Sequence, residues 1–163
     1  MNVFDYVIVG GGLAGASAIQ GIRELDTQGS IRLIGEETHL PYDRPPLSKK
    51  LWFGKARVED IFIHDQRFYD DLGVSMMLGT RVVKLDTKEK SVTVANGERY
   101  GFGKLLLATG TKPRKIAIPG GELEGICYYR MLDDYLRIKS EAKARHSVLI
   151  VGGGFIGSEL AAA

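Results

Sequence analysis

FDYVIVGGGLAG, residues 4–15, carries the strongest structural signal in the sequence. Its first six residues are mostly apolar and predict a strand, and the glycines at 10, 12 and 15 open an alanine-rich pattern typical of a helix. Glycines at this spacing permit a tight turn from strand to helix, close approach of a pyrophosphate to the backbone, and close packing of the two elements. The stretch therefore predicts an α/β unit that binds a dinucleotide at the N-terminus of its helix.

A second copy of the pattern, GGGFIG at residues 152–157, follows an apolar run at residues 147–151 that also predicts a strand. One such motif is weak evidence, whereas two motifs that each lie between a predicted strand and a predicted helix indicate two dinucleotide sites. The glycine motifs supply these candidate cofactor-binding residues: Gly10, Gly12, Leu13, Ala14, Gly15, Gly152, Gly154, Phe155, Ile156 and Gly157.

An acidic residue stands at the end of the next predicted strand. Glu36 follows the predicted strand 31–34, about 20 residues after Gly15, where units of this type place a carboxylate that accepts hydrogen bonds from the adenosine ribose. Glu37 is the second choice because it lies one residue further from the strand. We therefore predict that Glu36 binds the ribose.

The composition excludes several classes of protein. A length of 163 residues with 44% hydrophobic content is typical of a globular protein with a substantial core. The net charge is only +2 and no long run of Lys and Arg is present, so nucleic acid is not an expected partner. The single cysteine, Cys127, fits a reducing compartment, and neither a leader peptide nor a membrane span is predicted. We expect a cytoplasmic protein with no membrane partner.

The middle of the chain departs from a regular alternation of strands and helices. Prolines at positions 41, 45 and 46 predict an extended loop, and a short helix is expected from about Pro46 to Gly54. Alternating residues between about 80 and 103 predict an antiparallel β-meander with a tight turn at Asn96-Gly97. The remaining predicted elements are a helix at 13–24, a short helix at 64–72, strands at 74–78 and 104–108, and a helix at 131–145.

Two domains are expected from this arrangement. Residues 1–145 are predicted to form the first, and residues 146–163 to begin a second α/β domain that is truncated partway along its first helix. Because one strand and one helix cannot bury an apolar core, we expect this chain to be the N-terminal part of a longer protein.

Three further motifs carry a resemblance to a known family. They are PYDRPPLSK at residues 41–49, LATG at 107–110 and YRMLDD at 129–134. On these motifs and the two glycine motifs, the chain resembles the two-dinucleotide flavoproteins that include glutathione reductase, and within them the branch of the ferredoxin and rubredoxin reductases and apoptosis-inducing factor. The resemblance implies a Rossmann-like FAD-binding domain with an inserted antiparallel β-meander, followed by the start of a Rossmann-like NAD(P)-binding domain.

The resemblance also implies cofactors and roles for individual residues. FAD would bind at the first glycine motif, and NADH or NADPH at the second. Lys49 would be the catalytic residue, because its ammonium would lie beside the isoalloxazine ring and stabilise the negative charge gained on reduction. The other implied contacts are those of Glu36 with the ribose, Arg44 with the phosphates, Val82 with the adenine, Ala108, Thr109 and Gly110 with the cofactor, Arg130 with the flavin, and Glu159 with the nicotinamide.

The function that the resemblance implies is electron transfer. Hydride would pass from NAD(P)H to FAD, and electrons from the reduced FAD to a small iron–sulfur carrier, ferredoxin or rubredoxin. Relatives that use thiol chemistry carry cysteine at the start of the helix that faces the flavin, but residues 40–52 contain none. The three histidines, His39, His64 and His146, lack the spacing of metal ligands, so no metal site is predicted.

Three alternatives stay open at this point. One is an NADH oxidase or peroxidase, and another is an NADH-responsive interaction protein of the apoptosis-inducing-factor kind, indicated by the stretch LSKKLW at residues 47–52. The third is that this part of the enzyme binds its cofactor weakly and is inactive without the rest.

Overall fold

The computed structural model describes residues 1–142 and 147–163. It divides the chain into two compact units, the first formed by Met1–Asp43 and Phe62–Gly110, the second by Arg44–Ile61 and Thr111–Ala163. The predicted domain boundary at residues 145 and 146 lies outside the described residues and stays a prediction.

The first unit is built on one sheet of six strands in the order β3-β2-β1-β6-β5-β4. The strands are β1 (Asn2–Val9), β2 (Ile31–Ile34), β3 (Val74–Met77), β4 (Val82–Asp86), β5 (Ser91–Val94) and β6 (Arg99–Leu107). This mixed sheet confirms the α/β class predicted from the first glycine motif.

Four of these strands run parallel and end at the same edge of the sheet. Strand β1 pairs in parallel with β2 on one side and β6 on the other, and Val9 lies opposite both Ile34 and Leu107. Strand β3 continues the parallel arrangement beyond β2. Because β2 and β3 lie on one side of β1 and β6 lies on the other, the direction of strand addition reverses between β1 and β6. Open α/β sheets bind ligands outside the carboxyl ends of the strands at such a point.

The other half of the sheet is the predicted β-meander. Strands β4 and β5, and then β5 and β6, pair antiparallel, and Gly97 has a φ of 90° in the predicted turn after Asn96. The strand predicted at residues 104–108 is present as the second half of β6, a continuous strand of nine residues that begins in the meander. Its first residues pair with β5 and most of its length pairs with β1, so the meander and the parallel strands share one member.

Two helices belong to the first unit. Helix α1 (Leu13–Leu25) buries Gly15, Ala16 and Ile19, and helix α2 (Gln66–Asp71) begins where the Asp65 side chain accepts a hydrogen bond from the amide of Phe68. Side chains of β1 alternate between two apolar clusters, as expected for a strand covered on both faces. One cluster contains Val7, Val9, Ile34, Val92, Val94 and Tyr100, and the other contains Ile8, Ile19, Ile31, Leu33, Tyr69 and Val74.

The second unit contains short helices connected by long irregular segments. Its elements are 3₁₀ helices at Pro45–Ser48 and Val58–Ile61, helix α3 (Leu132–Ala142) and helix α4 (Phe155–Ala162). The predicted helix from Pro46 to Gly54 was wrong, because the 3₁₀ helix ends at Ser48 and turns follow. Gly54 has a φ of 64° in this turn region, which is incompatible with a continuing helix.

The strand predicted at residues 147–151 is absent from the structure. A strand needs a hydrogen-bonded neighbour, and no other segment of the described chain pairs with these residues. Three of their apolar side chains, those of Val148, Leu149 and Val151, are instead exposed, with Leu149 88% exposed. The glycine turn and helix α4 form as predicted without this strand.

Tyr69 makes the stability of the first unit sensitive to alkaline pH. Its side chain is fully buried, and its hydroxyl has no hydrogen-bond partner among residues 1–142 and 147–163. Burial raises the pKa of Tyr69 to about 12 from an ordinary value of 10.0. As the pH rises, the tyrosine ionises in the unfolded chain before it ionises in the folded one. The contribution of Tyr69 to the free energy of unfolding is therefore complete below pH ~10 and is lost as the pH rises toward about 12.

The variant Tyr69→Phe tests this arrangement. At pH 7 we expect an unchanged free energy of unfolding, or an increase of up to about 1 kcal/mol, because an unpaired polar group is removed. Toward pH 12 the variant should gain a further ~2 kcal/mol over the wild type, because phenylalanine cannot ionise. Denaturant unfolding of both proteins at a series of pH values checks this. A difference in the free energy of unfolding that stays constant from pH 7 to pH 12 would contradict it.

Candidate functional site

Gly10 lies where three backbone segments of the first unit meet. Its amide donates a hydrogen bond of 2.8 Å to the carbonyl of Ile34, and its φ of 128° is unfavourable for any residue with a Cβ. A Cβ at this position would overlap the carbonyl oxygen of Ala108. Helix α1 approaches equally closely, because a Cβ on Gly15 would overlap the carbonyl oxygen of Gly10.

Gly12, by contrast, faces open space. A Cβ built on it would meet no atom within 4 Å, and it begins helix α1 without a capping side chain. The first helical hydrogen bond of α1 runs from the amide of Ala16 to the carbonyl of Gly12, so the amides of Leu13, Ala14 and Gly15 precede the helical ladder. Room beside the backbone and uncapped amides fit a pyrophosphate, and the positive end of the helix dipole favours it there.

The two acidic residues after β2 have different surroundings. Glu37 accepts a hydrogen bond of 2.5 Å from the hydroxyl of Tyr42, which is buried. Glu36 is more exposed, and its carboxylate lies 3.8 Å from the guanidinium of Arg81. This difference supports the choice of Glu36 as the ribose ligand, because Glu37 is engaged in holding the loop.

The other predicted cofactor residues of this unit lie at the end of β6 and the start of β4. The amide of Ala108 donates to the carbonyl of Val9, and Thr109 and Gly110 follow as exposed residues outside the sheet. Val82 begins β4 at a register shift, and such a bulge removes backbone groups from the regular ladder. That geometry is compatible with the predicted backbone contact to adenine.

Within the second unit, Arg44 and Arg130 lie together. One Nη atom of Arg44 donates a hydrogen bond of 3.1 Å to the carbonyl of Arg130. The carboxylate of Asp134 in turn accepts hydrogen bonds from the amides of Arg130 and Met131. The start of α3 therefore fixes the backbone that orients the Arg44 guanidinium.

Lys49 and Glu159 are 110 positions apart and form an ion pair in the second unit. Lys49 Nζ lies 3.3 Å from Glu159 Oε1, and the hydroxyl of Ser48 donates a hydrogen bond of 2.5 Å to Glu159 Oε2. The Ser48 hydroxyl, and after it the Lys49 ammonium, hold the pKa of the Glu159 carboxyl below its ordinary value. The carboxylate therefore stays ionised at neutral pH, and both of its oxygens contact the same short turn.

Aromatic side chains anchor this turn. The hydroxyl of Tyr129 donates to the carbonyl of Leu47 and accepts from the indole of Trp52 at 2.9 Å. The hydroxyl of Tyr135 donates to the carbonyl of Leu51 at 3.2 Å. Burial raises the pKa of Tyr129 to about 12, so its hydroxyl remains a donor throughout the physiological range.

The second glycine motif repeats the backbone geometry of the first. Gly152 has a φ of 123°, and a Cβ on Gly157 would overlap the carbonyl oxygen of Gly152. Helix α4 begins at Gly154 without a capping side chain. Phe155 is 90% exposed and Ile156 is half exposed, which leaves the start of α4 accessible for a second pyrophosphate.

The sequence matches the family described as pyridine nucleotide-disulphide oxidoreductases over residues 4–163. The chain belongs to this family. Two curated relatives of this chain are a ferredoxin reductase subunit of 5,5'-dehydrodivanillate O-demethylase from Sphingobium sp., 40% identical over 99% of the chain, and a rubredoxin-NAD(+) reductase from Pseudomonas putida, 38% identical over 96%. The chain spans 39% and 41% of the lengths of these relatives, respectively.

A solved structure confirms the fold. The crystal structure of NADH:rubredoxin oxidoreductase from Clostridium acetobutylicum matches with a TM-score of 0.89 and 30% identity, over 99% of this chain and 41% of that one. The Rossmann-like character predicted from the glycine motifs is thereby confirmed.

The structure also shows contacts that the sequence did not predict. Ser48 and Tyr129 both lie in the motifs that carry the resemblance, yet neither received a role. The signal available was their position beside Lys49 and Arg130, but hydrogen bonds between residues 111 and 82 positions apart have no local signature.

The described residues were expected to contain neither a metal site nor a membrane span. No group of three or more potential ligands among His, Cys, Asp and Glu is close enough to hold a metal ion in that part of the chain. His146, which is not predicted to be a metal ligand, lies outside the described residues. None of the helices at positions 1–142 or 147–163 is both long and apolar enough to cross a membrane.

Paired glycine variants separate folding from cofactor binding in this chain. Gly12→Ala should lower the free energy of unfolding by at most about 1 kcal/mol but weaken binding of FAD, the cofactor expected from the resemblance, by about tenfold or more, because the methyl group occupies the space for the phosphates. Gly10→Ala should cost about 3 kcal/mol of stability through strain and overlap. Denaturant unfolding and FAD titration check both, and equal stability losses in the two variants would contradict the geometry.

Proposed function

We propose that the protein of which this chain forms part is an FAD-dependent NADH oxidoreductase that delivers electrons to a small iron–sulfur carrier, a ferredoxin or rubredoxin. The observation that carries the proposal is the similarity, over 96–99% of the chain, to reductases named for ferredoxin and rubredoxin. The chain spans about two fifths of those relatives. The proposed activity therefore requires a further C-terminal portion of the same enzyme, which completes the second dinucleotide domain.

FAD supplies the exchange between a hydride and single electrons when it is bound. The first unit contributes its binding surface, with the pyrophosphate at the amides of Leu13, Ala14 and Gly15 beside Gly12, and the ribose at Glu36. The reversal of strand order between β1 and β6 supports this assignment, because open α/β sheets bind ligands outside the carboxyl ends of the strands at such a point. Ala108, Thr109, Gly110 and Val82 complete the predicted contacts.

The second unit contributes fixed charges. Arg44 is held by the carbonyl of Arg130, and its planar guanidinium is suited to a phosphate. Lys49 is paired with Glu159, and its ammonium would stabilise the negative charge that the flavin gains on reduction. The glycine turn of residues 152–157 and helix α4 bind the nicotinamide dinucleotide, for which NADH is supported by the names of the relatives.

Thiol chemistry is not part of the proposal. The single cysteine of the sequence, Cys127, lies outside residues 40–52, and its sulfur is 3.9 Å from a carboxylate oxygen of Asp134. The single cysteine also supports the cytoplasmic location that we propose, since reducing compartments do not select for disulfides.

The visible spectrum of the full-length protein, before and after anaerobic addition of NADH, tests the proposal. We expect a yellow protein whose flavin absorbance bleaches with NADH and returns when an oxidised ferredoxin or rubredoxin is added. A colourless protein that FAD does not reconstitute would overturn the proposal. A flavin that is reoxidised by oxygen but by no iron–sulfur carrier would support the oxidase alternative instead.

Neighbouring lysines provide a matched pair of variants. Lys49→Ala should slow reduction of the flavin by NADH by roughly 100-fold, because a preorganised charge is lost. Lys50→Ala removes the same charge from the adjacent exposed position and should leave the rate within about twofold of wild type, because it lies outside the predicted contacts. Stopped-flow absorbance measures both, and equal effects would show that only the net charge of the segment matters.

A further inference from the structure

We propose that Ser48 is a positioning residue that holds the Glu159 carboxylate, and through it the Lys49 ammonium, in the geometry required for reduction of the flavin. This inference rests on the proposed function, which assigns Lys49 and Glu159 but gives no role to Ser48. Its basis is the arrangement of three side chains within the second unit of the structure.

The geometry divides the two carboxylate oxygens of Glu159 between two adjacent residues. Oε2 accepts the hydroxyl of Ser48 at 2.5 Å, and Oε1 lies 3.3 Å from Lys49 Nζ. A carboxylate held at both oxygens cannot rotate about its last bond without breaking one contact. The orientation of the group is therefore fixed only while both donors are present.

The two donors are not equivalent. The Lys49 side chain is 55% exposed and long, so its ion pair is screened by water and opposed by side-chain entropy. Ser48 is only 6% exposed, and its short side chain has a single rotatable bond to the hydroxyl-bearing carbon. A hydrogen bond from a buried hydroxyl to a carboxylate is charge-assisted and much less screened. Ser48 is therefore the stronger anchor for Glu159.

Ser48 is itself held in place by its surroundings. It is the last residue of the 3₁₀ helix Pro45–Ser48, where two prolines restrict the backbone. The preceding residue, Leu47, is buried and its carbonyl accepts the hydroxyl of Tyr129. The hydroxyl of Ser48 is thus presented by a rigid turn, which is what a positioning residue requires.

The consequence for Lys49 follows from this order of strength. Without the Ser48 hydroxyl, Glu159 would keep only a partly exposed ion pair with Lys49, and both side chains would sample several rotamers. An ammonium that must be ordered in each turnover stabilises developing charge less well than one already in place. Reduction of the flavin would slow although no group that contacts the cofactor had been changed.

Three variants of the full-length FAD-containing protein test the inference: Ser48→Ala, Ser48→Thr and Ser158→Ala. The first removes the hydroxyl and the second retains it. The third is a matched control, because Ser158 is next to Glu159 but its hydroxyl donates to the carbonyl of Gly154 within α4. Two readouts are needed: the limiting rate of flavin reduction by NADH, and the titration of the Glu159 carboxyl, followed by NMR on carbon-13-labelled glutamate and assigned with Glu159→Gln.

We expect Ser48→Ala to lower the limiting rate about tenfold, the effect of losing one hydrogen bond to a charged group, and to move the Glu159 titration to higher pH. Ser48→Thr should retain more of the wild-type rate and titration, and Ser158→Ala should match the wild type in both. A Ser48→Ala protein in which either readout stays at the wild-type value would overturn the inference. If the wild type itself is not reduced by NADH, the proposed function fails, while the titration still decides whether Ser48 holds Glu159.

Discussion

The close approach of three backbone segments at Gly10 is the constraint on which the first unit depends. The carbonyl of Ala108, just after β6, lies against Gly10. The carbonyl of Ile34 in β2 accepts a hydrogen bond from the Gly10 amide, and Gly15 in helix α1 lies against the Gly10 carbonyl. No side chain separates these segments, so the carboxyl ends of three parallel strands and the start of one helix converge on a single residue. At this convergence the first amides of α1 are left without a capping side chain.

The second unit, by contrast, orients charged side chains on a segment with little regular structure. Prolines stiffen the turn, Tyr129 fastens its carbonyl, and α3 orients the backbone next to Arg44. Fixed charges of this kind are most effective when they are placed before the reaction begins. The first unit therefore presents uncapped backbone amides at its glycine turn, and the second unit presents charged side chains that are held by hydrogen bonds and an ion pair.

The sequence predicted the elements whose signals are local. The boundaries of β2 and the start of α1 follow from an apolar run and a glycine spacing, and both were confirmed. The prediction of a strand at residues 147–151 was wrong, because a strand needs a hydrogen-bonded neighbouring strand and an apolar run does not specify one. The Ser48, Lys49 and Glu159 cluster could not be predicted as a cluster, because Glu159 is distant in sequence from the adjacent residues Ser48 and Lys49 and meets them only through the packing of the second unit.

Strand β6 connects the meander to the parallel strands, and this has a consequence for how the family can diverge. An insertion in the turn at Asn96-Gly97 alters only a connection, whereas an inserted residue within β6 would rotate every following side chain to the opposite face. The same insertion would move Ala108 away from Gly10. We therefore expect length variation among relatives to accumulate at the hairpin turns of the meander, while the number of residues from Arg99 to Gly110 stays constant.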